Sequence, residues 1–273
     1  MAASRGSDVN DPQRYGVVTD VHGNLYALQT ALEHLRAAGA ERLLCLGDVI
    51  GYGPHPSECL ELLGSFDPTC VAGNHEQMAL GRLSSAGSTE TARRSLEWTR
   101  TQLTPAAQSV LERWPLVTTA PGVVLAHGSP GRVDEYVRSD SRARELLDQL
   151  SSEHPPARVL LLGHTHEAWA FSRVHGTQLR ARPGRVSLEQ RDLQLLNPGS
   201  VGQSRDRHPH ARFLLLDLAE GVADFRSVPY DVAACRRALK DRGLPPDWCH
   251  VVPPLHERFR GMVGDALRRL GVR

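Results

Sequence analysis

Five short polar motifs, each placed at the end of an apolar run, constrain this chain more than any other feature. They are Asp20-Val21-His22-Gly23-Asn24, Gly47-Asp48, Gly73-Asn74-His75-Glu76, Ala126-His127-Gly128 and Gly163-His164-Thr165-His166. The runs before them, Tyr15–Thr19, Leu43–Leu46, Thr69–Val71, Val123–Ala126 and Val159–Leu162, read as short buried strands. Helical segments separate the first three, Leu25 to Ala38 and Ser57 to Leu63. In the first helix Leu25, Leu28, Ala31, Leu32 and Leu35 make one apolar face on a 3.6-residue period. Strand–helix–strand alternation with apolar strands implies parallel pairing in an α/β sheet. The carboxyl ends of such strands share one crevice, so the polar motifs are expected to converge.

The rest of the chain is organised differently. Residues 81 to 120 hold Gly and Ser near position 86, a helical Ser95 to Leu103, and Thr104-Pro105 as N-cap and first helical residue of a helix running to Trp114. A helical hairpin, residues 85–115, is therefore expected as an insertion between two sheet layers. Strands at Val117–Ala120 and Val123–Ala126, a helix near Ser139 to Leu150 and the Val159–Leu162 strand come next. Strands are also expected at Ala168–Val174, Val186–Gln190, Leu193–Leu196, Phe213–Leu218 and Ala223–Val228, joined as antiparallel hairpins. Two helical segments end the chain, Val232 to Leu239 and Leu255 to Leu270. The second carries Leu255, Phe259, Met262, Val263, Ala266, Leu267 and Leu270 on one face, which packs against the parent sheet or, as the alternative, forms a homodimer contact. With no repeat, low-complexity tract or linker, the expectation is one domain over residues 1–273, with 1–12 flexible.

Thirty-two Lys and Arg against 31 Asp and Glu leave a formal net charge of +1, so no global field draws the chain onto nucleic acid or an anionic membrane. Stable nucleic-acid binding is not expected, the basic run Arg205 to Arg212 being the local exception. No apolar run approaches the roughly 20 residues needed to span a bilayer, and the leader Met1 to Asp8 lacks the apolar segment of a secretion signal. A cytoplasmic protein without a membrane partner is expected. Five cysteines with no Cys-x-x-Cys pair make neither a disulfide framework nor a zinc ribbon, and Cys45 and Cys70 read as core.

The motifs point to metal. Asp20 and His22 are two residues apart, as are His164 and His166, so on an extended strand exit each pair can face one side. Carboxylate and imidazole donors together suit borderline divalent ions such as manganese, iron or zinc. Glycines beside Asp48, Asn74, His127 and His164 let the backbone turn tightly next to an ion. Seven potential ligands exceed what a single ion with open positions needs, which favours two ions sharing a bridging carboxylate. Asp-x-His or Gly-Asp alone reads as a turn or a cap, while Gly-Asn-His-Glu and Gly-His-Thr-His are sharper signals; all five in this order read as a site.

This series resembles the calcineurin-like metallophosphoesterase superfamily, whose motifs run Asp-x-His, Gly-Asp, Gly-Asn-His-Asp/Glu, His and Gly-His-x-His. The likeness spans residues 15 to 170, and within the superfamily the chain is most similar to the small bacterial phosphodiesterase-type group. Phosphoprotein phosphatases follow Gly-Asp with Asp-Arg-Gly, whereas here Val49-Ile50-Gly51-Tyr52 follows, so that phosphate-binding arginine is missing. The resemblance implies a four-layer α/β/β/α sandwich of two mixed sheets flanked by helices. It implies that Asp20, His22, Asp48 and His166 hold one divalent metal and Asp48, Asn74, His127 and His164 the other, with Asp48 bridging and His75 as general acid. Manganese is the first expectation for both, with iron, zinc or nickel also suited. The implied reaction is hydrolysis of a nucleotide-type phosphodiester by a hydroxide held between the metals. Phosphomonoester hydrolysis, on a nucleotide or a protein, is the alternative. A non-catalytic scaffold is the alternative of another class, and the intact ligand set with His75 weighs against it. Asn197-Pro198-Gly199-Ser200 is expected to support the site. Tyr52, His55 and Arg205 are expected to bind substrate, Arg205 as a phosphate-binding cation.

Overall fold

The computed structural model describes residues 14–205 and 208–250. Twelve strands and seven helices follow one another along them. The first stretch runs β1 (Arg14–Val18), α1 (Leu25–Ala37), β2 (Arg42–Cys45), α2 (Pro56–Gly64), β3 (Thr69–Cys70) and α3 (Asn74–Ala79). The hairpin α4 (Glu90–Gln102) and α5 (Pro105–Glu112) leads to β4 (Val117–Ala120), β5 (Val123–Ala126), α6 (Asp140–Glu153) and β6 (Val159–Leu161). Then come β7 (Trp169–Ser172), β8 (Gly176–Arg180), β9 (Gly184–Ser187), β10 (Gln194–Asn197), β11 (His210–Asp217), β12 (Val222–Pro229) and α7 (Val232–Asp241), with a 3-10 turn at Pro246–Cys249.

The strands form two mixed six-stranded sheets, ordered β3-β2-β1-β11-β12-β9 and β4-β5-β6-β10-β7-β8. Each has a parallel centre, β1–β2–β3 in one and β5–β6–β10 in the other, extended by antiparallel strands. Successive residues of the central strands face opposite sides. Val17, Leu44, Leu125, Leu161 and Leu196 enter the layer between the sheets. Their neighbours Val18 and Cys45 meet α1, α2 and α5, while Val124, Leu160 and Leu195 meet Ala143, Leu146, Leu147 and Leu150 of α6. These strands lack polar alternation because both faces are covered. The result is the expected four-layer α/β/β/α sandwich, with Cys45 and Cys70 in its core.

Several local expectations need correction. β10 pairs parallel with β6 as well as antiparallel with β7, so that part of the chain is not a run of simple hairpins. β8 is a mostly polar edge strand with no apolar run to reveal it, and β9 ends at Ser187 rather than Gln190. α4 begins at Glu90 instead of Ser95, because Thr89 caps it by accepting from the Ala92 N–H. Thr104 caps α5 in the same way. Residues 1–12 and the segment Leu255 to Leu270 lie outside the described residues.

The two-sheet interior is the part of the fold most sensitive to lost volume. Leu214 of β11 is fully buried there, in register with Val17 of β1. Leu214→Ala is expected to cost roughly 2–5 kcal/mol. Urea denaturation should show a lower midpoint at an unchanged slope.

Candidate active site

The ends of the parallel strands deliver the polar motifs to one rim: Asp20 and His22 after β1, Asp48 after β2, Asn74 after β3, His127 after β5, and His164 and His166 after β6. Five of these seven have left-handed backbones, with φ of 52° at Asp20, 50° at His22, 52° at Asp48, 65° at His164 and 58° at His166. Each costs on the order of 1–3 kcal/mol and persists only where the surroundings over-determine it. Here the loops are tied to one another: Asp20 N–H donates to Gly47 O at 3.0 Å, His22 N–H to Asp48 O at 2.9 Å and Gly23 N–H to Val49 O at 2.7 Å. Only glycine fits at 73, where a Cβ would stand 2.1 Å from Asp48 Oδ1.

The side chains converge with their acceptor atoms inward. His22 Nε2 lies 3.1 Å from His166 Nε2, and Asp20 Oδ1 lies 3.2 Å from His166 Nε2 and 3.8 Å from His22 Nε2. On the other side, His127 Nε2 is 3.2 Å from Asp48 Oδ2 and 3.1 Å from Asn74 Oδ1. Asp48 Oδ2 stands between the two groups, 3.8 Å from His22 Nε2. Among the described residues, three overlapping sets have ligand atoms within 4.8 Å of one another: Asp20, His22 and His166; His22, Asp48 and His75; Asp48, His127 and His164.

The orientation of the rings tests whether a cation fits. His22 Nδ1 faces Ile50 O at 3.2 Å, His127 Nδ1 faces Leu46 O at 2.6 Å and His166 Nδ1 faces Gln203 O at 2.7 Å. A carbonyl accepts, so each Nδ1 carries a proton and each ring turns its Nε2 inward, where the neutral form offers a lone pair. Asp20 Oδ1 is buried among them with no hydrogen-bond partner. Buried lone pairs and carboxylate oxygens facing one another are costly unless a cation lies among them. The donor set fits divalent metal.

Electrostatics agree. Burial opposes charge on His127, but Asp48 and Asp20 outweigh it and hold the ring at about 10, a proton that a metal must displace. Burial also opposes ionisation of Asp48, yet His127 and His75 keep its carboxyl well below the usual range. His164 is pushed down to about 3 by burial and by His127. His75 is lowered by burial, and its Nδ1 is sealed without a partner; a Cβ on Gly51 would stand 2.3 Å from that atom.

Of the expected substrate residues, Tyr52 lies in the rim, its ring 4.9 Å from those of His22 and His75. Burial raises its phenol to about 12, against the nearby positive charge of half-buried Arg205. His55 instead faces Tyr26, Glu58 and Arg242, away from the ligands, because its loop has already turned into α2. The loop 197–200 lies beneath the site: Asn197 donates to Gly163 O at 2.6 Å and Ser200 Oγ to Asp20 O at 2.8 Å. Glu76 carried no assigned role in the sequence, although it stood in a motif. Its buried carboxylate accepts from the N–H groups of Asp48, Val49, Ile50 and Gly73 at 2.8, 2.8, 3.2 and 2.7 Å. Burial and Asp48 raise it to about 7 despite those bonds. Gln203 and Asp134, whose carbonyls orient His166 and His164, left no trace in composition or spacing.

Comparison with known proteins agrees with this geometry. A crystal structure of a metallophosphoesterase from Sphaerobacter thermophilus is similar with a TM-score of 0.74 and 28% identity, over 88% of this chain and 97% of that one. A hypothetical protein of Pyrococcus horikoshii shares the fold with a TM-score of 0.69 at 19% identity, over 86% and 96%. An uncharacterized protein of Methanocaldococcus jannaschii is 28% identical over 238 residues, 85% of this chain and 93% of its own length. Residues 14–221 match the calcineurin-like phosphoesterase superfamily domain, a span that contains every strand but β12 and every motif of the rim. The chain therefore belongs to the calcineurin-like phosphoesterase superfamily and is a metal-dependent phosphoester hydrolase.

Proposed function

We propose that this hydrolase cleaves phosphodiesters of the nucleotide type, using two divalent cations that share Asp48 and a proton donated by His75. The reading is carried by the convergence of Asp20 Oδ1, which has no hydrogen-bond partner, with the inward Nε2 atoms of His22 and His166, beside the second group at Asp48. Asp20, His22, Asp48 and His166 would hold one ion; Asp48, Asn74, His127 and His164 would hold the other. Manganese is the preferred metal for this mixed carboxylate, amide and imidazole set. Two such ions lower the pKa of water toward neutrality and draw charge off a phosphoryl group.

The chain's own residues do the rest. The carbonyls of Leu46, Ile50 and Gln203 lock three rings in the ligating tautomer, and Glu76 holds the Asp48 and Gly73 loops at a fixed separation. His75 Nδ1 is sealed against Gly51, which leaves Nε2 as the end that carries and gives up the proton to the leaving-group oxygen. Glycine at 51 and a neutral phenol at 52 place no guanidinium on this loop. Arg205, beside Tyr52, is then the phosphate-facing cation, one positive charge matched to a singly charged diester rather than a dianionic monoester.

Chelation is expected to abolish hydrolysis and added manganese to restore it, with diesters turned over faster than monoesters in a matched nitrophenyl panel. Full turnover by protein shown to be metal-free would refute the metal reading, and preference for monoesters the diester reading.

Asp48→Asn should lose more bound metal than Asn74→Asp, since a shared ligand needs both oxygens and its charge. Elemental analysis after dialysis decides this. Two ions retained per chain in Asp48→Asn would remove Asp48 from the bridging position.

His75→Ala should keep its metal and lose about 10²- to 10⁴-fold on an alkyl or nucleoside leaving group, but much less on nitrophenolate, which departs without a proton. Equal losses on both would mean that His75 only holds its loop.

A further inference from the structure

We infer that Tyr136 and Arg138 form the outer lip of the substrate cleft and bind the base-bearing arm of the diester. This rests on the phosphodiester reading above and goes beyond it by naming how the non-leaving arm is selected.

The loop between β5 and α6 is held at many points. Ser129 and Arg132 close a tight turn through N–H···O bonds of 2.8 and 3.1 Å. The Glu135 carboxylate accepts two N–H groups of Arg142 on α6 at 2.7 and 3.1 Å and the Ser129 hydroxyl at 2.7 Å. His164 Nε2 lies 3.2 Å from the carbonyl of Asp134, Val137 is buried against α6, and Arg180 donates to the carbonyl of Arg138 at 3.1 Å. Tyr136 sits between the clamped Glu135 and the buried Val137, so its backbone is pinned while its phenol points outward, 47% exposed.

The ring is layered between its neighbours while the residue stays half exposed. Its ring centroid lies 4.0 Å from that of His164 at an interplanar angle of 37°, and the Arg138 guanidinium lies 4.5 Å over it. A layered set of planar groups thus runs outward from a proposed metal ligand. Tyr52 flanks His75, their ring centroids 4.9 Å apart. Because Tyr136 lies against the proposed ligand His164, the stack offers a surface for one arm of a diester whose phosphorus lies beside Asp48 and His75. With His164 on one face of the phenol and the Arg138 guanidinium on the other, the outer face of that guanidinium is the planar surface left to a nucleobase, held by cation–π contact that accepts any base because every base has a π-face.

The test uses two diesters with the same leaving group, thymidine 5′-(4-nitrophenyl) phosphate and methyl 4-nitrophenyl phosphate, on manganese-loaded protein. The ratio of kcat/KM between them should fall about tenfold or more in Tyr136→Leu, which removes the ring that backs the guanidinium, and stay near wild type in Tyr136→Phe, which keeps the plane. Arg138→Gln, a change at an exposed side chain, should lower the ratio without loosening His164. Calorimetric titration with the phosphonate isostere of thymidine 5′-phosphate, whose P–C bond is not hydrolysed, should show Kd raised in the same order. If either the ratio or the Kd fails to move in both Tyr136→Leu and Arg138→Gln, the lip is overturned. Wild-type protein inactive on both diesters overturns the phosphodiester reading instead, and the titration then decides the lip alone.

Discussion

Two carboxylates buried in one rim, Asp20 and Asp48, set the terms for everything around them. They repel one another, and burial penalises both. An ion removed from water costs several kcal/mol even after relaxation, and only close opposite charge with well-made hydrogen bonds offsets it. The rim meets that demand with imidazoles whose outer nitrogens face carbonyls and whose inner nitrogens face the carboxylates. A protein built this way is more stable with cations bound than without, since an ion that binds the folded chain alone adds its binding free energy to folding.

That demand shapes the backbone as well. Left-handed turns at Asp20, His22, Asp48, His164 and His166 aim the side chains of adjacent residues into a single volume. The strain is held because strands of two sheets end side by side and their exit loops bond to one another. The loop after β10 completes the tie: Val201 N–H donates to Thr19 O and Gly202 N–H to Asp20 O, both at 3.0 Å. A Cβ at Gly202 would stand 1.7 Å from Val21 O, so this crossing requires glycine. The two halves of the site, one from each sheet, are thus stitched beneath Asp20.

The surroundings divide the labour by depth. Glu76 and the ring-orienting residues Leu46, Ile50 and Gln203 are buried and fixed, which suits groups that must hold cations a set distance apart. Tyr52 and Tyr136 lie farther out, one mostly covered and one half exposed, where shape rather than charge meets a substrate. A loop that orients His164 through Asp134 also carries Tyr136, so ligand geometry and cleft geometry are coupled through a few peptide bonds.

Much of this was legible in the chain itself. Apolar runs without polar alternation announced strands covered on both faces, and the 3.6-residue period of Leu28, Ala31, Leu32 and Leu35 announced the helix that covers one of them. Asp20, His22, Asp48, Asn74, His127, His164 and His166 stood out because donor types and flanking glycines are local properties, written at fixed spacing. What lay beyond reach depends on distance through space. The polar edge strand β8, the parallel pairing of β10 with β6 and the turning away of His55 follow from which surfaces meet, and no residue type encodes that. The roles of Gln203 and Asp134 rest on backbone carbonyls, which every residue possesses. Tyr136 became distinct from any other tyrosine only when the fold pinned its neighbours and set its ring over His164.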